Sequence, residues 1–253
     1  MSTWSGVADA YRASFATLTE GTVGRMLTDT SGGHHLDVGS GTGALAARAA
    51  GLGRTVVALD ADPEMVAMSR AAVPGRVLRA SLPDLPFDDG TFDAVTANFV
   101  VNHVQDPRAA MRELARVKRH GGRIAVTIWT ARTPEWADLV GGAFGRAGVA
   151  PIPGQRLDVE LDFDRSVDGL LGLGEAAGLE ALAATELTWD WEVSADALWS
   201  GIAGGVASVG QTFLAQTRAV QVSAEREFYE AAAGVADEGM LTLTSTAAYL
   251  VAT

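Results

Sequence analysis

The sequence predicts an α/β fold built on a doubly wound, mostly parallel sheet, and three features predict it. Short β-branched runs alternate with helical stretches from about residue 34 to residue 130. The first run ends in a glycine turn, Leu36-Asp-Val-Gly-Ser-Gly-Thr-Gly43, and the second, Thr55-Val-Val-Ala-Leu-Asp60, ends in an acid. Alternation of this kind places parallel strands in one sheet whose right-handed crossovers cover both faces.

In chain order, His35 to Val38 reads as a strand and Gly43 to Leu52 as an alanine-rich helix. Thr55 to Leu59 is the second strand, and Pro63 opens a helix through Ala72, its fixed φ suiting a first helical position. Val77-Leu78 begins a short third strand, Phe92 to Ala97 is the fourth, Pro107 to Lys118 is a helix and Arg123 to Trp129 is the fifth strand. Residues 131 to 165 hold Pro134, Pro151, Pro153 and five glycines, and read as a helix followed by an irregular insertion. Asp168 to Ala177 is a helix stopped by Gly178, before a strand-like Leu182 to Trp191. Residues 194 to 233 look helical, with Ser194 as an N-cap, and Met240-Leu-Thr-Leu-Thr with Ala247 to Val251 alternates as a closing strand or hairpin. There is no internal repeat or low-complexity linker. A single domain over residues 1 to 253 is expected, with its core in about 30–130, 166–192 and 237–253 and cap elements in 1–29, 131–165 and 193–236.

The chain has 253 residues and 48% hydrophobic content, enough for a sizeable core. A net charge of −12 and a pI of about 4.7 repel phosphate backbones and anionic headgroups, so no nucleic acid and no membrane surface is expected as a partner. The absence of cysteine excludes a disulfide framework, a thiolate zinc site and a cysteine nucleophile. Met1 to Ala10 carries neither a basic n-region nor an apolar h-region, and no apolar run approaches the roughly 20 residues that span a bilayer. A cytoplasmic location is expected, while oligomeric state stays open, a homodimer included.

The glycine turn and Asp60 together point to a nucleoside-bearing cofactor. Glycines let the backbone approach a ligand closely, and an acid closing the next strand lies about where a ribose falls when a nucleoside spans two adjacent parallel strands. Gly39-x-Gly41-x-x-Ala44 also fits the dinucleotide fingerprint in its alanine variant, so the turn alone leaves a nicotinamide or flavin enzyme open. Further along come Ser81-Leu-Pro-Asp-Leu-Pro-Phe-Asp-Asp-Gly-Thr-Phe-Asp-Ala-Val95, then Glu113-Leu-Ala-Arg116-Val117 and Gly121-Gly-Arg123.

On these residues the chain resembles the class I S-adenosylmethionine-dependent methyltransferases, notably the branch whose motifs read hLDhGxGTG, LPFxDxxFDxV and ExxRVLKPGGR. The resemblance covers roughly residues 8 to 130, with a weaker likeness in Leu170 to Trp199 and the last strand. It implies a Rossmann-like seven-stranded sheet with a helical cap, S-adenosyl-L-methionine as cofactor and a small-molecule acceptor. Two departures stand out: Ser81 sits where the family usually has an aspartate facing the adenine amino group, and Val117-Lys-Arg-His-Gly121 replaces Val-Leu-Lys-Pro-Gly in what reads as a surface turn.

By resemblance, Gly39, Ser40 and Gly41 would approach the methionine part of the cofactor by backbone, and Asp37 would face its ammonium directly or through water. Asp60 would take both ribose hydroxyls, since a carboxylate can accept two charge-assisted bonds from neighbouring hydroxyls. Ala61 and Met65 would pack on the adenine, Ser81 and the Leu82 backbone would meet its polar edge, and Asn98 would lie near the reacting sulfonium. Each has a plainer rival. Asp37 or Asp60 could serve only a turn, Met65 could fill the core, and Ser81 could bond its own backbone.

Methyl transfer is an in-line displacement that needs mainly alignment and exclusion of water, so a dedicated base is optional. The best candidate is His103, in a loop leaving the carboxyl end of strand four, with a structural role as its rival. His34 and His35 precede a core strand, His120 lies in a surface turn, and none of them looks catalytic. Asp88-Asp-Gly90 reads as a solvated turn and Asp93 as a strand cap, so no metal is expected; no G-x-S-x-G elbow is present either. Acceptor selection should fall to Tyr11–Met26, the insertion after Trp129 and residues 194–233, roofing the crevice. Trp129, Trp136, Trp189, Trp191 and Trp199 fall in this region, as aromatic walls or as plain core. The function expected is methylation of a small organic acceptor on oxygen, nitrogen or carbon. The alternatives are an NAD(P)-dependent oxidoreductase, though no Tyr-x-x-x-Lys pair is evident, and a cyclase or binding module of the same fold.

Overall fold

The computed structural model describes residues 6–153 and 157–253. Helices α1 (Ala8–Ala13), α2 (Phe15–Thr19) and α3 (Val23–Asp29) precede β1 (His34–Val38), which turns through the glycines into α4 (Ala44–Gly51). Next come β2 (Thr55–Asp60), α5 (Pro63–Ala72), β3 (Arg76–Arg79) and β4 (Phe92–Asn98). A short 3-10 turn, Val101–His103, leads to α6 (Pro107–Val117) and β5 (Lys118–Trp129). The chain ends with α7 (Glu135–Ala147), α8 (Val167–Ala176), β6 (Ala181–Ser194), α9 (Ala195–Ala203), α10 (Ala207–Leu214), α11 (Arg218–Ala233) and β7 (Met240–Ala252).

These strands form one seven-stranded sheet in the order β3-β2-β1-β4-β5-β7-β6, as the resemblance implies. Strands β1 to β5 pair in parallel, and β7 runs antiparallel to β5. The helix starts follow local chemistry. Asp62 accepts from the amides of Glu64 and Met65 and Asp106 from that of Ala109, each with proline at the first helical position. Ser194 caps α9 through the Ala197 amide, as its sequence position indicates.

Period-two alternation sorts the strands between two layers. Leu36, Val38, Leu59, Val95 and Ile124 pack with Met111 and Leu114 of α6 and Leu170 and Leu173 of α8. Val56, Ala58 and Ala125 pack instead with Val23, Met26 and Leu27 of α3 and Leu45, Ala46 and Ala49 of α4.

Two local expectations need correction, and one left open is decided. His34 lies inside β1 rather than before it, and His35, which opens the strand in the sequence reading, is fully buried. Strand β5 begins at Lys118, so Lys118 to Gly121 and His120 with them belong to the strand rather than to a surface turn. The cause is a bulge: Phe92 pairs with Lys118 and Ala94 with Arg123, leaving four residues opposite Asp93. A side chain at Gly122 would meet the Asp93 carbonyl oxygen at 2.7 Å, which is why glycine stands there. Of the two options at the chain's end, a single strand rather than a hairpin forms, with Leu241, Leu243, Ser245 and Ala247 buried in alternation.

The chain divides into two compact units. One comprises Thr22–Arg132, Leu157–Leu187 and Thr246–Thr253; the other comprises Met1–Gly21, Thr133–Arg156 and Thr188–Ser245. Within the second, Phe15 meets Trp136 edge-on at 5.0 Å and stacks on Trp191 at 5.8 Å, while Trp199 stacks on Phe228 at 5.0 Å. Trp191 and Trp199 are buried, so these two tryptophans are core. Among the described residues, no helix is long and apolar enough to cross a membrane.

Candidate active site

The first unit holds the candidate site residues. Strand order reverses between β1 and β4, because the chain runs outward to β3 and then crosses back to β4. In open α/β sheets that reversal opens a crevice beyond the carboxyl ends of the strands. The residues at those ends are Asp37 and the glycine turn on β1, Asp60 on β2 and Asn98 on β4.

The turn is tied to β2. The Ser40 amide donates to the Leu59 carbonyl at 2.9 Å and the Gly41 amide to Asp60 Oδ2 at 2.9 Å. Gly39 has φ +66° and a side chain there would meet Val100 at 2.4 Å, so only glycine allows β1 and the segment after β4 to come this close.

Asp60 is held by backbone alone. Its second oxygen accepts from the Asp62 amide at 2.9 Å, so the two backbone bonds fix the carboxylate plane while each oxygen retains a second lone pair. Burial pushes its pKa up, and the amides of Asp62 and Gly41 act against that shift.

Asp37 is held differently. It is 2% exposed, accepts from Thr96 Oγ1 through Oδ1 at 2.9 Å, and its Oδ2 has no hydrogen-bond partner. The Ala46 amide on α4 favours the charged form without making a bond of ordinary geometry to that oxygen. Burial raises the carboxyl pKa to about 7, the Thr96 bond opposes that rise, and the charge of Asp60 adds to it. An unpaired buried carboxylate oxygen is costly, and a cation placed against it would offset that cost.

The remaining candidates fall at the same end of the sheet or just beyond. The Asn98 side-chain oxygen accepts from Thr22 Oγ1 at 2.8 Å and Thr127 Oγ1 at 2.6 Å, which fixes the carboxamide. Ala61 is exposed after β2, whereas Met65 in α5 is 3% exposed. Ser81 is exposed in a small turn closed by the Asp84 amide on its carbonyl, and Leu82 is half-buried beside it. His103 ends the 3-10 turn after β4. Desolvation by surrounding protein lowers its imidazole pKa, an effect limited because the residue is exposed to water.

Sequence reasoning passed over four residues here. His35 and Thr96 are polar side chains at core positions, and Arg54 precedes β2. Their signal was period two: His35 and Asp37 share one face of β1, and Asp37 pairs with Thr96. The fourth is Phe99, which takes φ +57° directly after β4 and stacks on Trp129 with ring centroids 3.9 Å apart. Its left-handed backbone is not written in the sequence.

Residues 36–126 match the methyltransferase domain family. An uncharacterized methyltransferase of Mycobacterium tuberculosis is 40% identical over 116 residues, 45% of this chain and 47% of that protein. A demethylmenaquinone methyltransferase of Clavibacter sepedonicus is 39% identical over 106 residues, 40% of this chain and 43% of that protein. The chain thus spans about half the length of the curated relatives it matches. Among solved structures, a geranyl diphosphate C-methyltransferase from Streptomyces coelicolor A3(2), in complex with Mg2+, geranyl diphosphate and S-adenosyl-L-homocysteine, shares the fold. Its TM-score is 0.51 at 14% identity, over 91% of this chain and 76% of that one.

Proposed function

We propose that this chain is an S-adenosyl-L-methionine-dependent methyltransferase acting on a small organic acceptor. The observation that carries the reading is the pair of acids at adjoining strand ends: Asp60, backbone-held with lone pairs to spare, and Asp37, buried with one oxygen unpartnered. A ligand with vicinal hydroxyls at one end and an amino acid at the other suits both. The matched methyltransferase domain and the relative named for demethylmenaquinone support a transfer to a small organic molecule.

The residues present fit such a cofactor: the unpartnered Asp37 oxygen suits its ammonium, the glycine turn admits its backbone-hugging tail, and Asp60 suits its ribose. When bound, the cofactor supplies an electrophilic methyl group on a sulfonium. The protein's work is then alignment. The two backbone bonds to Asp60 keep its carboxylate plane fixed before any ligand arrives, and the hydroxyls of Thr22 and Thr127 do the same for Asn98. His103, whose imidazole pKa desolvation lowers, would accept the proton leaving an acceptor hydroxyl; an amine acceptor would not need it.

Thermal unfolding tests the reading. S-adenosyl-L-homocysteine at about 100 times its Kd should add roughly 2.7 kcal/mol to stability and raise Tm, while NAD and NADP leave it unchanged. Protection by the nicotinamide cofactors alone would replace the methyltransferase with an oxidoreductase.

A further inference from the structure

Behind Asp37 a line of hydrogen bonds crosses the layer between the sheet and helices α3 and α4. Arg54 Nη1 lies 2.9 Å from His35 Nδ1, His35 Nε2 lies 2.9 Å from Thr96 Oγ1, and Thr96 Oγ1 lies 2.9 Å from Asp37 Oδ1. The direction of every bond follows from its first member. Arginine can only donate, so His35 Nδ1 accepts and its proton sits on Nε2. His35 Nε2 therefore donates to the Thr96 oxygen, and the single Thr96 hydrogen is left for an acceptor. Two acceptors are in reach, Asp37 Oδ1 at 2.9 Å and the Leu36 carbonyl at 3.4 Å, and the shorter bond with the carboxyl group wins.

Arg54 is itself anchored by the carbonyls of Leu27 and Thr30, both at 2.7 Å from Nη2, and by Thr30 Oγ1 at 3.2 Å from Nη1. Burial and the Arg54 charge hold the His35 pKa down to about 3, so the ring stays neutral and the direction of the line is stable over the working pH range. A fully buried histidine on β1 is not required for packing, since a branched aliphatic side chain suits a strand core equally well. Its two ring nitrogens are both used, and the line ends on Asp37, whose other oxygen is unpartnered.

We propose that Arg54, His35 and Thr96 are positioning residues for the amine-bearing end of the ligand, gripping one oxygen of Asp37 from behind so that the other is held for a cationic amine. This rests on the reading of the crevice as a seat for an adenosyl amino acid. Groups facing Asp37 are the Asp60 carboxylate on β2, Thr96 on β4, the Ala46 amide on α4 and, through Thr96, the neutral His35 with Arg54 behind it.

The test compares two probes by calorimetry across pH: S-adenosyl-L-homocysteine, which has the amine, and 5′-methylthioadenosine, which lacks it. Thr96→Val should weaken the first about tenfold, leave the second unchanged, and move the pH midpoint of homocysteine-ligand affinity upward because the bond favouring ionised Asp37 is gone. Thr96→Ser should restore wild-type behaviour. Should Thr96→Val not fold, His35→Leu carries the test: with the ring's donor gone, the Thr96 hydrogen can turn to Leu36, giving a smaller loss confined to the same probe. Unchanged affinity for both probes, or equal losses for both, overturns the proposal while the functional reading stands. Wild-type protein that binds neither probe removes the reading and the proposal with it.

Discussion

The ends of β1 and β2 lie side by side and each carries an aspartate, but the two acids are held by opposite means. Asp60 is gripped by main-chain amides of the glycine turn and of its own following residues, and remains part-exposed. Asp37 is gripped by a side-chain hydroxyl with a buried histidine and an arginine behind it, and keeps one oxygen unpaired. Backbone bonds leave an acid stable whatever its ligand, which suits neutral hydroxyls. A buried, half-satisfied acid waits for a positive charge. Under the proposed function, the difference would assign the polar, uncharged part of the ligand to β2 and its cationic part to β1.

The largest effect expected from a substitution lies outside both ends and isolates them. For a hydroxyl acceptor, His103→Ala should slow turnover by about 10²- to 10⁴-fold with cofactor affinity unchanged; a normal rate would make His103 scaffold. Asp60→Ala should weaken S-adenosyl-L-homocysteine by roughly 10- to 100-fold through loss of the ribose bonds. Calorimetry of the folded variant checks this, and wild-type affinity would break the assignment of β2. Asp37→Asn keeps the shape and removes the charge. It should cost about tenfold for the same ligand and nothing for 5′-methylthioadenosine, and an equal loss for both would show that the two ends do not divide the ligand.

How much of this could be read from the sequence depends on which physical signal each element carries. Helices α5 and α6 begin with Asp-Pro, a capping acid followed by a ring locked at helical φ, and both were legible to within a residue or so. The glycine turn and Asp60 were legible because spacing alone brings them to adjoining strand ends. The start of β5 was not, since four extra residues in a bulge hide the strand behind the glycines of 121 and 122. Nor was the line behind Asp37: polar residues such as His35 at core positions imitate a strand boundary until the register pairs them. The tryptophans carried the weakest signal. Whether Trp191 and Trp199 wall a site or fill a core depends on neighbours as distant in sequence as Phe15 and Phe228.

A gentler way to sharpen the comparison is the pH dependence of unfolding. Asp37, raised to about 7, keeps a proton in the fold that the unfolded chain has released, so its contribution makes stability fall as pH rises from the ordinary carboxylate range toward 7. His35, lowered to about 3, refuses a proton that the unfolded chain accepts, so its contribution makes stability rise from about pH 3 to the ordinary histidine range. The two slopes oppose each other in the wild type. Denaturant titrations should show Asp37→Asn gaining stability steadily as pH rises through that window and His35→Leu losing it, and parallel curves for both variants would sever the link between the two residues. The smallest effect is expected at the cap next to Asp60: Asp62→Ala should cost about 1 kcal/mol, read as a Tm drop of roughly 2–4 °C.

The most direct test is a crystal structure of the protein with S-adenosyl-L-homocysteine. Both ribose hydroxyls on the Asp60 carboxylate, with the amine against Asp37 Oδ2 directly or through one water, is the predicted result. Adenosine seated elsewhere, or an Asp37 oxygen still unpartnered beneath a bound ligand, would contradict it.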